Sequence, residues 1–428
     1  MMGLEEIVWL RPQKIIEISK ERTLTSEELL VLKSSSFFLP IKLLTIAKGD
    51  DEEYKEPYVR VAYNIFRELD ECEDVPIKSN GEKKQREIIN ERLGMITRFS
   101  YIVGEVVKRD YSIERRIEDI IQGDDLRSVT KWLTENEPKE DGKVFAEHFG
   151  RGIVLRELYE IGKEGEIGKD IKKALDYSLK SMADGMSFFI DKGPIETYRQ
   201  LDNYCEYVAG KVGKTFLNEL VKLKDLERLK LKDKSGNLIT TLDDKLAELF
   251  AKFLQLTNMA KNVRPDYEEG RKFFPGEWIH KGISYESMMD GLTIGAQQVR
   301  NEVLYKILST TSAKFYPSLD YVKSIPKELS GYRAFCLFPL ILAEKTIENM
   351  RSAGPERVFK GDEDAIKIPY GIDAIKDFTY NIVKFEKGEH LDNWLEKYKE
   401  NPAKFSFKPG DYKDWAPQWL TTNQLKNE

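Results

Sequence analysis

Tyr63, Arg67, Asp70 and Asp74 recur at steps of three and four. On a helix that spacing puts all four on one face. Two carboxylates stacked one turn apart repel each other unless a cation lies between them. Hard divalent cations take oxygen ligands, and Mg2+ keeps waters and bridges to phosphate oxygens. Arg67, one turn back, is placed to hold a diphosphate that the metal also touches. The same spacing suits a solvated acidic face of a charged helix, and this segment alone leaves both readings open.

A second stripe strengthens the first. Gln255, Asn258, Asn262 and Asp266 also recur at threes and fours, with Lys261, Arg264 and Arg271 beside them. They continue a largely apolar helix, and a helix apolar enough to be buried does not carry such a stripe without partners for it. The alternative is a set of hydrogen bonds between helices. Two ligand stripes with basic residues beside each suggest a diphosphate held by Mg2+ in a bundle core, a usual place for such sites.

The elements that must position these residues are helices. Apolar residues repeat with helical period over 59–75, 88–107, 171–190, 242–260 and 334–350, the last closed near Gly354-Pro355. No convincing period-2 alternation appears, so an all-α fold is expected. Gly193-Pro194, Pro275-Gly276, Pro317 and Pro326 read as breaks between helices.

Composition narrows the function classes. The chain has 428 residues, 41% hydrophobic, with 68 Lys+Arg against 74 Asp+Glu and a net charge of −6. This excludes wholesale disorder and gives no bulk electrostatic reason to bind nucleic acid. Cys72, Cys205 and Cys336 stand far apart, as do His148, His280 and His390. A disulfide framework, a cysteine zinc site and a histidine-based triad are therefore disfavoured, and a cytoplasmic protein is expected. The first residues do not form a signal peptide, and no apolar run reaches the roughly 20 residues needed to span a bilayer.

Five blocks in order carry a resemblance: Tyr63 to Asp74; Tyr204-Cys-Glu-Tyr-Val-Ala-Gly-Lys-Val-Gly213; Gln255 to Pro275, with its Gly-Arg-Lys-Phe-Phe-Pro end; Phe335-Cys-Leu-Phe-Pro339; and Val358-Phe-Lys-Gly361. Over residues 34–368 the chain resembles the squalene synthase and phytoene synthase group of head-to-head prenyltransferases, nearer the squalene synthase branch. The resemblance implies one isoprenoid-synthase-type helical bundle around a central cavity. It sets domain bounds at 31–385, with an N-terminal segment 1–30 and an aromatic-containing tail 386–428. It also implies condensation of two farnesyl diphosphates through a cyclopropyl (presqualene) diphosphate, then NADPH-dependent reduction to squalene. Alternatives are a dehydrosqualene- or phytoene-type product made without NADPH, and a prenyl-diphosphate-binding relative that turns over poorly.

The implied roles transfer position by position. Asp70, Glu73, Asp74, Asn262 and Asp266 would hold Mg2+. Arg67, Lys261 and Arg271 would bind diphosphate, with Gln255, Asn258 and Phe335 lining the substrate, and Leu337 beside Phe335. Tyr63, Arg67 and Tyr204 would be catalytic, Tyr204 near proton transfer at the allylic cation. Asn258, Lys360 and Lys367 would meet NADPH. A monomer is expected, with peripheral membrane contact through the tail around Trp415 and Trp419, since Trp favours membrane–water interfaces.

The chain also departs from the family pattern. Asn262 stands where the second motif normally begins with Asp, and Lys261 where arginine is common. Pro265 lacks an N–H and crowds the carbonyl four residues back, so the helix is expected to kink or end there. Ser34-Ser35-Ser36-Phe37 lacks the family's phosphate-binding arginine, with Lys33 the nearby substitute. Asp362, Glu363 and Asp364 make the late loop acidic, which disfavours a 2′-phosphate.

Overall fold

The computed structural model describes residues 12–44, 55–74, 82–108, 115–163, 165–214, 242–280, 282–326 and 329–366, together with Lys230 and Leu238. All regular elements among them are helices, as the periodicity predicts. The chain divides into two compact units. One comprises Met1–Lys192 with Lys214–Leu242, the other Gly193–Gly213 with Asp243–Glu428.

The first unit contains α1 (Pro12–Glu21), α2 (Ser26–Leu43), α3 (Lys55–Asp74), α4 (Glu82–Lys108), α5 (Arg115–Ile121), α6 (Asp124–Asn136), α7 (Glu140–Gly150), α8 (Ile153–Ile161) and α9 (Gly165–Lys192). Thr25 starts α2 with a capping box: its hydroxyl accepts from the Glu28 N–H, and the Glu28 carboxylate accepts from the Thr25 N–H. The helix is interrupted at Ser34 (φ −155°, ψ 69°). α3 packs against α2, α4, α7, α8 and α9. Val61, Ile65, Leu69 and Cys72 form its buried stripe, which fixes the rotation of the helix and so which way its polar face turns.

The second unit contains α10 (Tyr198–Cys205), α11 (Asp244–Lys261), α12 (Val263–Glu268), α13 (Tyr285–Asp290), α14 (Ala296–Ser312), α15 (Phe315–Ser324), α16 (Ser330–Lys360) and α17 (Glu363–Ile366). α10 begins with a second capping box, Thr197 with Gln200, and runs into a π-helical turn, Glu206–Gly210. α11 packs against that turn, α14, α15 and α16. The approach is close: a Cβ on Gly213 would lie 2.6 Å from the Ala251 Cβ. Pro317 does not separate two helices as expected. It is the third residue of α15, in a first turn whose N–H groups have no intrahelical acceptor. α16 is interrupted at Gly354 (φ 74°, ψ 172°), followed by Pro355.

Cys72, Cys205 and Cys336 are buried free thiols. Among the described residues no helix is long and apolar enough to cross a membrane. The tail 386–428 with Trp415 and Trp419, and Lys367, lie outside the described residues.

Candidate functional site

The polar face of α3 is as the spacing predicts. The Arg67 guanidinium sits among Asp70, one turn on, Glu71 (Nη2 to Oε1, 2.7 Å) and Asp74 (Nη2 to Oδ2, 3.5 Å). Burial opposes its charge, but Glu71, Asp70 and Asp74 together hold its pKa well above the usual value. Asp70 and Asp74 remain partly exposed, whereas Glu71 is buried. Glu73, three residues past Asp70, is buried. Tyr63 donates its hydroxyl to Ser34 Oγ at 2.7 Å and stacks on Phe37, ring centroids 5.0 Å apart. Burial raises the Tyr63 pKa above its ordinary value, so the phenol is neutral and a donor.

Lys33 does not stand free in place of the missing arginine. Its ammonium is buried against Glu71 at 3.0 Å and 4.0 Å from Asp141. Burial would raise the Glu71 carboxyl, but Arg67 and Lys33 outweigh it and bring it down to about 2. Glu137 hydrogen-bonds Glu71, and burial together with the Glu71 charge pushes it up to about 7. Burial, reinforced by Glu71, pushes Glu68 up to about 8.

In the second unit, α11 ends at Lys261 as the Pro265 argument expects. Asn262 takes a turn conformation (φ −97°, ψ 13°), and Pro265 becomes the third residue of the short α12. Asn262 donates its amide to Asn258 Oδ1 at 3.2 Å, so two of the stripe residues bond each other. Asp266 is buried and is met by Arg271, whose Nη2 reaches both Asp266 Oδ1 and Glu269 Oε2 at 2.6 Å. The Arg271 N–H also donates to the Asp266 carbonyl at 2.7 Å, closing the turn. Gln255 and Lys261 are half-buried on α11. Tyr204 is buried with its ring 5.1 Å from Phe273. Phe335 packs on Tyr332, centroids 6.0 Å apart, and Leu337 is buried beside it in sequence.

Sequence reasoning missed Lys252. It is buried between Asp202 (3.0 Å), Glu248 (3.0 Å) and Glu206 (3.5 Å), and Asp202 also takes Lys314 at 3.3 Å. These pairs tie α10 and its π turn, which carry Tyr204, to α11. The i, i+4 spacings of Asp202 with Glu206 and of Glu248 with Lys252 were the available signal.

Asp70, Asp74 and Asp266 offer hard oxygen donors, the right chemistry for Mg2+. Each is engaged by an arginine, and among the described residues no three acidic, histidine or cysteine side chains converge on a metal position. In each unit the donors fit a metal whose shell is completed by diphosphate oxygens and water. Lys360 is exposed and paired with Glu356 at 2.7 Å, and Asp362, Glu363 and Asp364 surround it in sequence. Asn258 is exposed and bonded to Asn262.

The family model for squalene/phytoene synthase matches residues 154–368, half of the chain. The chain belongs to the squalene/phytoene synthase family. Its relatives include squalene synthases of Mycosarcoma maydis (29% identical over 51% of this chain and 38% of that one), Gibberella zeae (26% over 64% and 53%) and Mus musculus (24% over 58% and 54%). The chain thus matches about half the length of these relatives. Among solved structures, TcSQS in complex with the ligand BPH1237 superposes with a TM-score of 0.60 at 18% identity, covering 94% of this chain and 95% of that one. That likeness establishes the fold of this squalene/phytoene synthase family member.

Proposed function

We propose that the chain is a prenyltransferase joining two farnesyl diphosphates head to head through a cyclopropyl diphosphate. One observation supports this reading above the others. In each unit an arginine occupies the carboxylates that the family motifs assign to metal: Arg67 with Asp70 and Asp74, Arg271 with Asp266. Such an arginine can move from carboxylate to diphosphate oxygens when substrate arrives. Asp70, Glu73 and Asp74 in one unit, and Asn262 and Asp266 in the other, are the residues that would hold Mg2+, which would offset the diphosphate charge. Arg67 and Arg271 then stabilise the diphosphate as it leaves, acting on charge that develops in the transition state. Tyr63 presents a neutral hydroxyl beside Arg67. Tyr204, buried against Phe273, offers an aromatic face and a phenol to the allylic cation.

We further propose squalene as the product. A second reading, dehydrosqualene or a related product made without a reductant, draws support from the acidic surroundings of Lys360. The test is product analysis by mass spectrometry with farnesyl diphosphate and Mg2+, with and without NADPH. Squalene only with NADPH supports the first reading, and dehydrosqualene irrespective of NADPH the second. Binding of substrate without any product overturns both and leaves a non-catalytic relative.

A further inference from the structure

Arg67 has three acidic partners, and they differ in kind. Asp70 and Asp74 are partly exposed, their side chains 29% and 26% accessible, whereas Glu71 is 5% accessible. A ligand arriving from solvent reaches the first two and not the third. Glu71 is also the hub of a built cluster. Its Oε1 takes Arg67 Nη2 at 2.7 Å and Lys33 Nζ at 3.0 Å, and Lys33 is itself 6% accessible. Glu137 closes the cluster with a hydrogen bond to Glu71, and its own side chain accepts from the Lys139 N–H at 3.1 Å. Gly142 makes room for it: a Cβ there would lie 2.4 Å from Glu137 Cγ. Arg67 Nε is buried with no hydrogen-bond partner.

A buried carboxylate between two cations does not give one up without leaving its own charge uncompensated. The half-exposed pairs are cheap to exchange by comparison. We propose that Glu71 is a positioning residue: it keeps Arg67 in place through one Nη while Asp70 and Asp74 exchange the guanidinium for a metal-bound diphosphate. Lys33 serves this device from behind, as the second cation that holds Glu71 in place, and not as a diphosphate ligand. The inference rests on the proposed diphosphate chemistry and adds a residue that the acidic motif does not include.

The test uses the full chain and inorganic pyrophosphate as probe, titrated by calorimetry at several Mg2+ concentrations. Glu71→Gln is expected to weaken pyrophosphate binding about tenfold, the worth of roughly one charge-assisted hydrogen bond. It should also raise the Mg2+ concentration at half-effect several-fold, because a loosened Arg67 competes harder for Asp70 and Asp74. With farnesyl diphosphate, kcat should fall more than KM rises. Glu71→Gln alone leaves Lys33 buried without its partner, so the double variant Lys33→Met/Glu71→Gln, which removes both charges, separates folding from positioning. Continued weak binding and a raised Mg2+ requirement in the double variant support the proposal. Recovery of wild-type binding in the double variant overturns it, as does wild-type behaviour of Glu71→Gln. Failure of the wild-type chain to bind pyrophosphate at any Mg2+ concentration overturns the diphosphate reading itself.

Discussion

Arg67 and Arg271 are placed by different backbone devices. Arg67 lies within one uninterrupted helix of 20 residues, and its partners follow at three, four and seven positions. Arg271 lies beyond the end of a 6-residue helix and reaches back to Asp266 through a turn closed by its own N–H. The first arrangement draws its rigidity from a buried apolar stripe and from Glu71. The second draws it from a loop and from one buried aspartate. Similar guanidinium–carboxylate contacts can therefore be built on a helix face or on a turn, and the two should respond differently to the same insult.

The largest effects should come from removing either cation. Arg67→Met and Arg271→Met are each expected to lower kcat about 100-fold or more, as loss of one donor to a developing anion does. Arg67→Lys should recover little, since a point charge cannot bridge three carboxylates. Steady-state kinetics with farnesyl diphosphate checks this, and wild-type turnover in Arg271→Met would break the parallel between the two arginines.

Next is Lys252→Met. It leaves Asp202, Glu206 and Glu248 facing one another, at a cost of about 2 kcal/mol after allowing for their partial exposure. Urea titration measures it. Loss of activity at temperatures where the fold persists would show that the tie between α10 and α11 matters for Tyr204 as well as for stability.

A pH comparison sharpens the view of the helix-borne half. Glu137 has a folded pKa of about 7, above its ordinary 4.5, because of burial and the Glu71 charge. Its contribution to stability is full below about pH 4.5 and is lost as pH rises through 7. Glu137→Gln, which keeps the neutral shape, should match wild type near pH 5 and exceed it at pH 8. Thermal midpoints at the two pH values decide, and equal midpoints at both would remove Glu137 from the account.

The smallest effect expected is that of Pro265→Ala, within about 1 kcal/mol, because a first-turn position asks for no N–H. A larger loss would mean that the proline, and not the asparagine turn, sets the position of Asp266.

Much of this was legible in the chain. Helical periodicity located α3, α4, α9, α11 and most of α16, because each buries apolar residues at helical spacing. Pro265 marked the end of α11 because its ring and missing N–H act locally. Arg67 with Asp70 and Asp74 was legible for the same reason. Long-range partners were not. Lys33, Glu71 and Glu137 meet only once α2, α3 and the α6–α7 connection have packed, and no spacing encodes that. Sequence alone therefore offers Lys33 as a substitute phosphate ligand, whereas the fold pairs it with buried Glu71. Pro317 was read as a break because a proline alone does not reveal whether it opens a helix or closes one.

The interruption of α16 at Gly354 has a consequence for charge. An unbroken helix would sum its peptide dipoles over its whole length, with its positive end far away at Ser330. The break creates a new amino end at Pro355, followed at once by Glu356, and a carboxyl end that carries Arg357 and Lys360 and stops at Gly361 (φ 72°). Glu356 and Lys360 sit at their favourable poles and bond each other across the turn. The last turn and a half of α16 is thus an electrostatically self-contained helix. A residue other than glycine at 354 would strain a backbone conformation that essentially glycine alone adopts.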